Sequence, residues 1–274
     1  MSTYQFTADD ADIVLRASRC DTPREFRVHK IILSLASPVF KDMFSIPQPD
    51  SSTTLAESAI PIIDVDDTPS DLELLLRMIY PFGFPPMPTL DAISCAFILL
   101  DKYEMQSGLL QTLKSLLVSP EFLKNDPIRV YSIACRWKLQ EEADLAAPLT
   151  SSFDVVICVR EEDVQWMTSV EYHRILTLEK QRQLKSQRVI SHTPSTCSGC
   201  HSYKSFYIEY RGKLLESFKI DHHTFYDHSK CIIRCFEIVM ELKDDGAFLG
   251  CGISPGSHLG SFISTLAEKL SSPT

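Results

Sequence analysis

At His29 the hydrophobic repeat of the chain changes from alternation to the helical period of about 3.6 residues, and this switch limits what the chain can fold into. Upstream, Asp12-Ile13-Val14-Leu15-Arg16-Ala17-Ser18 alternates and predicts a strand. The turn-rich Arg19-Cys20-Asp21-Thr22-Pro23 separates it from a second strand, Glu25-Phe26-Arg27-Val28, and the pair reads as a hairpin. Downstream, Ile32, Leu33, Ala36, Val39, Phe40, Met43 and Phe44 fall at helical spacings. Pro38 lacks the N–H that a helix interior needs, so the run must be two helices, with Ser37 capping the second and Pro38 in its first turn.

The pattern then continues as an α+β unit. Residues 45–59 are rich in Ser, Thr, Asp and Pro and predict an exposed loop. Ile60-Pro61-Ile62-Ile63-Asp64-Val65 predicts a third strand, which Pro61 directs to a sheet edge because it has no N–H to donate to a neighbouring strand. Amphipathic helices are expected over 70–80, with Leu72, Leu75, Leu76 and Ile79 on one face, and over 90–103 and 108–118. Asp126-Pro127 opens another helix, and 141–149 reads as its antiparallel partner. Beyond it the periodicity predicts one long helix over 162–185, carried by Val164, Met167, Val170, Ile175 and Leu178. Helices at 203–218, 226–242 and 259–270 follow, with a glycine-rich connection at 246–260.

A chain of 274 residues with 44% hydrophobic side chains can bury one large or two ordinary cores, and two are expected. The net charge of -9 opposes general binding to nucleic acid or to anionic membrane. No apolar run reaches transmembrane length, and the first twelve residues lack the basic start and apolar core of a signal peptide. Nine scattered cysteines, an odd number, fit a reducing compartment better than a disulfide framework. These features together predict an intracellular protein of the cytoplasm or nucleus.

The run Asp12-Ile13-Val14-Leu15, followed by Phe26-Arg27-Val28-His29-Lys30-Ile31-Ile32-Leu33-Ser34-Leu35-Ala36-Ser37-Pro38-Val39-Phe40-Lys41-Asp42-Met43-Phe44, closely resembles the front half of a BTB (POZ) domain. The later order of strand 60–65, helix 70–80 and helix pair 90–118 resembles the rest of that family's layout. The resemblance implies a BTB/POZ fold over 8–118, a small mixed sheet with a helical cluster, then a helical extension over 119–150 and an all-helical C-terminal region over 151–274. The whole chain is similar to BTB proteins of mushroom-type (basidiomycete) fungi.

What the resemblance implies for function is a non-catalytic platform that binds a protein partner. Two alternatives follow from other uses of the family: a substrate adaptor for a cullin-type ubiquitin ligase, and a transcriptional or chromatin-associated regulator. Cullin-binding members carry a hydrophobic-x-Glu pattern after the second helix, and Leu55-Ala56-Glu57 fits it. A homodimer is a further implied partner. Its strand-exchanged form is not expected, because only eleven residues precede Asp12, where strongly dimeric members have an extra helix and strand. Asp12, His29 and Lys30 occupy positions where the family places polar residues, and a structural network, with the carboxylate neutralised by the lysine or hydrogen-bonded by His29, is expected there.

Other motifs carry residue types associated with chemistry. Cys197-Ser198-Gly199-Cys200-His201 has the letters of a haem attachment site but no export signal, and no strand precedes it as a redox pair would need. A structural zinc on Cys197 and Cys200, completed by Cys231 and Cys235 or by His222, His223 and His228, is the minority reading. A loop pair plus two buried helix thiols is preferred. Gly252-Ile253-Ser254-Pro255-Gly256 matches a nucleophile elbow in form only, since Pro255 has no N–H to serve as an oxyanion donor. Four cations in the run 180–188 are expected to form a solvated helix end rather than a phosphate-contacting patch. Neither a phosphate-binding glycine loop nor an H-E-x-x-H pair occurs, so no catalytic, cofactor-binding or metal residues are assigned.

Overall fold

The structure, a computed structural model, describes residues 6–19, 22–46, 60–105, 107–192, 204–244 and 256–271. It divides into two compact units, Met1–Phe122 and Leu123–Thr274.

In the first unit, β1 (Ile13–Ala17) and β2 (Arg24–Val28) form the expected antiparallel hairpin, with Ile13 opposite Val28 and Ala17 opposite Arg24. β3 (Ile62–Val65) joins the other side of β1 in parallel, giving the order β2-β1-β3. The burial patterns explain the order. β1 has four of its five residues buried and so needs cover on both faces, whereas β2 alternates exposed and buried as an edge strand does. Pro61 lies just before β3, at the sheet edge, and its carbonyl accepts from the Val14 N–H at 2.9 Å. The segment before the hairpin is also tied in: the Arg27 N–H donates to the Phe6 carbonyl at 2.9 Å, and the Phe6 ring packs edge-on against Phe26 and Tyr80.

The helices α1 (Lys30–Ala36) and α2 (Pro38–Ser45) meet at Ser37, whose Oγ accepts from the Phe40 N–H and donates to the Tyr103 carbonyl at 2.6 Å. One hydroxyl therefore caps α2 and ties it to the end of a helix far along the chain. α3 (Pro69–Ile79), α4 (Leu90–Lys102) and α5 (Ser107–Leu117) complete the cluster, and Leu33, Phe40, Leu72, Leu76, Ile93 and Phe97 form its core.

The second unit is helical throughout its described residues. After α6 (Pro120–Asn125), which crosses the boundary between the units, α7 (Pro127–Arg136) packs on α8 (Gln140–Thr150). A short α9 (Val155–Cys158) follows, and the single long helix expected over 162–185 is instead two, α10 (Glu161–Trp166) and α11 (Ser169–Ser191). The break is made by Thr168, which accepts from the Glu171 N–H while the Glu171 carboxylate returns to the Thr168 N–H at 2.7 Å, a reciprocal capping box. α12 (Lys204–Ile220), a 3-10 turn (His223–Tyr226), α13 (His228–Asp244) and α14 (Gly256–Ser271) follow. The connection expected over 246–260 is thus helical from Gly256 onward, and the helix expected from Tyr226 begins two residues later, after the turn. Tyr210, Leu214, Phe218, Phe225, Ile238 and Leu266 lie in one apolar core shared by α12, α13 and α14.

Candidate functional site

Two places among the described residues are candidate sites. The first is on α1. Leu33 points into the core, and this orientation turns Ile31 and Leu35 outward, 65% and 67% exposed. Four residues apart, they share one face of the helix. The helix is held from beneath: the Asp12 carboxylate accepts from the Lys30 N–H at 2.8 Å, satisfying a donor at the helix start. His29 turns to Tyr80, whose hydroxyl lies 2.9 Å from the His29 backbone N and 3.0 Å from its Nδ1. The expected polar network is therefore present with different partners. Asp12 takes a backbone N–H, and neither the lysine ammonium nor the imidazole is hydrogen-bonded to it.

A second support is buried beside α4. The Tyr103 hydroxyl donates to Asp67, whose other oxygen takes the Lys102 ammonium at 2.7 Å, and the Tyr103 ring stacks on Phe40. Burial and the Asp67 carboxylate push the Tyr103 phenol well above its ordinary range. The cluster behind the α1 face is thus fixed by satisfied polar groups as well as by apolar packing.

The second place lies in the C-terminal unit. Glu179 on α11 faces His222 and His223 at the start of the 3-10 turn, with Oε1 3.6 Å and 3.8 Å from the two Nε2 atoms. Asp154, the N-cap of α9, brings Oδ2 to 3.9 Å from His223 Nε2. Burial, and then the neighbouring His223, push the His222 pKa down against the pull of Glu179. Nothing in the sequence tied Glu179 to this pair, because the partners lie on separate elements. His228, which the sequence grouped with them, begins α13 and is exposed. Cys231 and Cys235 lie fully buried in the apolar core, and their mutual hydrogen bond and burial keep the Cys231 thiol protonated. Leu55-Ala56-Glu57, Cys197, Cys200, His201 and Gly252 to Pro255 lie outside the described residues.

The basic run of α11 is not uniformly solvated. Arg182 is 8% exposed, stacks over Tyr226, and donates to Ser152 Oγ at 2.7 Å and to the Ser271 carbonyl at 3.3 Å. Burial lowers its pKa.

Residues 4–118 match the family model of the BTB/POZ domain. No curated protein matches the chain. The matched span contains the whole three-stranded sheet and helices α1 to α5. A BTB/POZ domain is present there, and such domains are non-catalytic modules of protein–protein interaction.

Proposed function

We propose that this chain is a non-catalytic interaction protein whose BTB/POZ domain docks a protein partner through the Ile31–Leu35 face of α1. The exposure of two large aliphatic side chains on one face of a helix anchored by Asp12, Leu33 and Ser37 carries this reading. Burying such a side chain in an interface is worth roughly 1.5–3 kcal/mol, so the pair supplies an apolar centre for a polar rim. The partner to test first is a second copy of the chain. Light scattering after size exclusion measures its association, and Ile31→Glu with Leu35→Glu should abolish it without shifting the melting temperature. Association that survives in the folded double variant rules this face out.

A second reading is an adaptor in which the same domain binds a cullin scaffold and the C-terminal unit captures a substrate inside the cell. The hydrophobic-x-Glu letters Leu55-Ala56-Glu57 support it. Purified cullin N-terminal domains that show no binding at micromolar concentration would remove it. A transcriptional role would further require nuclear localisation, which a fluorescent fusion reports.

A further inference from the structure

Glu179, His222 and His223 form an arrangement that the interaction reading does not use. Their ligand atoms all lie within 4.8 Å of one another. The His223 Nδ1 lies 3.2 Å from the Ser152 carbonyl. A carbonyl only accepts, so Nδ1 carries the proton and the lone pair of Nε2 points toward the Glu179 carboxylate. Two acceptors thus face each other, and both histidine Nε2 atoms are buried without a hydrogen-bond partner. Distances of 3.6 and 3.8 Å are too long for direct hydrogen bonds. They lie near the separation of about 3.3 Å between two ligands of one tetrahedral ion with bonds of about 2.0–2.1 Å.

The surrounding groups orient each ligand as outer-sphere partners of a metal do. The Val155 N–H holds Glu179 Oε2 at 3.3 Å, leaving Oε1 for the histidines. The Ile157 N–H holds Asp154 Oδ1 at 3.0 Å, leaving Oδ2 toward His223. A concave surface lined in part by Ser152, Asp154, Cys158, Asp221 and His223 gives an ion a way in from solvent.

We propose that Glu179, His222 and His223 bind one divalent transition-metal ion of the zinc class, with the fourth position left to water. Two imidazoles and carboxylate oxygens suit zinc and its neighbours rather than calcium or magnesium, which prefer oxygen alone. The ion joins α11 to the turn before α13, two segments of the C-terminal unit that are distant in sequence.

The test uses the full chain stripped of metal with a chelator and titrated with Zn2+ under calorimetry, with stoichiometry read by native mass spectrometry. One ion per chain is expected. Glu179→Gln with His223→Asn should weaken binding at least about 100-fold, while Cys197→Ser with Cys200→Ser leaves it unchanged. Titration of the unaltered chain with Co2+ supplies a readout that does not depend on a variant folding. Visible bands of a tetrahedral ion are expected without near-ultraviolet thiolate charge transfer. Absence of binding below millimolar Zn2+, undiminished binding in the Glu179 and His223 variant, or a thiolate band on Co2+ would each overturn the proposal.

Discussion

The Arg182 guanidinium lies over the Tyr226 ring, 4.1 Å from its centroid, and makes no ion pair among the described residues. A buried cation held by a ring, the hydroxyls of Ser151 and Ser152 and a carbonyl contributes through packing and cation–π attraction, not through neutralisation. Arg182→Ala should destabilise the C-terminal unit by about 2–4 kcal/mol through the lost stacking and the cavity left behind. Arg182→Met keeps the stem and removes the desolvated charge, so it should stay within about 1 kcal/mol of the parent. Both tryptophans, Trp137 and Trp166, lie in this unit, so urea unfolding followed by their fluorescence measures the difference.

Arg129 on α7 and Asp163 on α10 form an ion pair with both partners almost fully buried, and Trp166 covers the guanidinium at 4.6 Å. Asp163→Asn leaves the guanidinium only the half-exposed Glu162 carboxylate, at 3.0 Å, and should cost about 2–4 kcal/mol in the same assay. Replacing both partners, Arg129→Met with Asp163→Leu, should restore most of that loss. If the double variant is as unstable as the single one, the pair is not what sets the cost.

The Tyr103–Asp67 contact makes the N-terminal unit sensitive to base. The phenol's folded pKa is raised above the unfolded value of about 10, so its contribution is complete below pH 10 and is lost as pH rises through the folded value. Tyr103→Phe should cost about 1–3 kcal/mol at neutral pH, because Asp67 loses a buried donor. It should also flatten the decline in stability above pH 10, which hydrogen exchange of α4 amides reports.

Glu73 acts at the opposite end of the scale. Burial raises its pKa, but hydrogen bonds from Arg77 and Arg24 outweigh burial and leave it below the usual glutamate range. A depressed folded pKa gives stability that is present above the unfolded value of about 4.3 and lost as pH falls through the folded value. Glu73→Gln should therefore lower the melting temperature slightly at pH 7, by less than about 1 kcal/mol in stability. It should leave the midpoint near pH 3 almost unchanged.

Among the described cysteines, Cys158 alone is exposed, while Cys95, Cys135, Cys231 and Cys235 are partly or wholly buried. Burial, first, and then Asp71 push the Cys95 thiol to about 12. Maleimide labelling of the native chain with peptide mapping should mark Cys158 many times faster than these four. Equal labelling of Cys231 or Cys235 would contradict the core packing.

Much of the N-terminal fold was legible because its signals are local. Alternation at Ile13 to Ala17 and the Ser37-Pro38 pair each specify one conformation within a few residues. The periodicity hides the break before α11, because Val164, Met167, Val170 and Ile175 keep an apolar rhythm through it. The Thr168-x-x-Glu171 letters held the signal that decides it, since a capping box outweighs periodicity at a helix start. In the sequence Arg182 is indistinguishable from the surface cations beside it, and only the packing of Tyr226 separates it from them. The approach of Glu179 to His222 and His223 depends on how α11 and the turn before α13 pack, which no spacing in the sequence encodes.

The parallel pairing of β1 with β3 also sets a timetable for synthesis. Arg16 and Asp64 stand opposite each other but are 48 residues apart in the chain, whereas the β1–β2 hairpin closes locally. At about 5–20 residues per second, the ribosome leaves one side of β1 without its strand for several seconds. During that interval the apolar Ile13-Val14-Leu15 presents an open edge able to pair with a neighbouring nascent chain. Products truncated before Ile62 should therefore aggregate cotranslationally, while those extending through Val65 carry the strand that closes the edge.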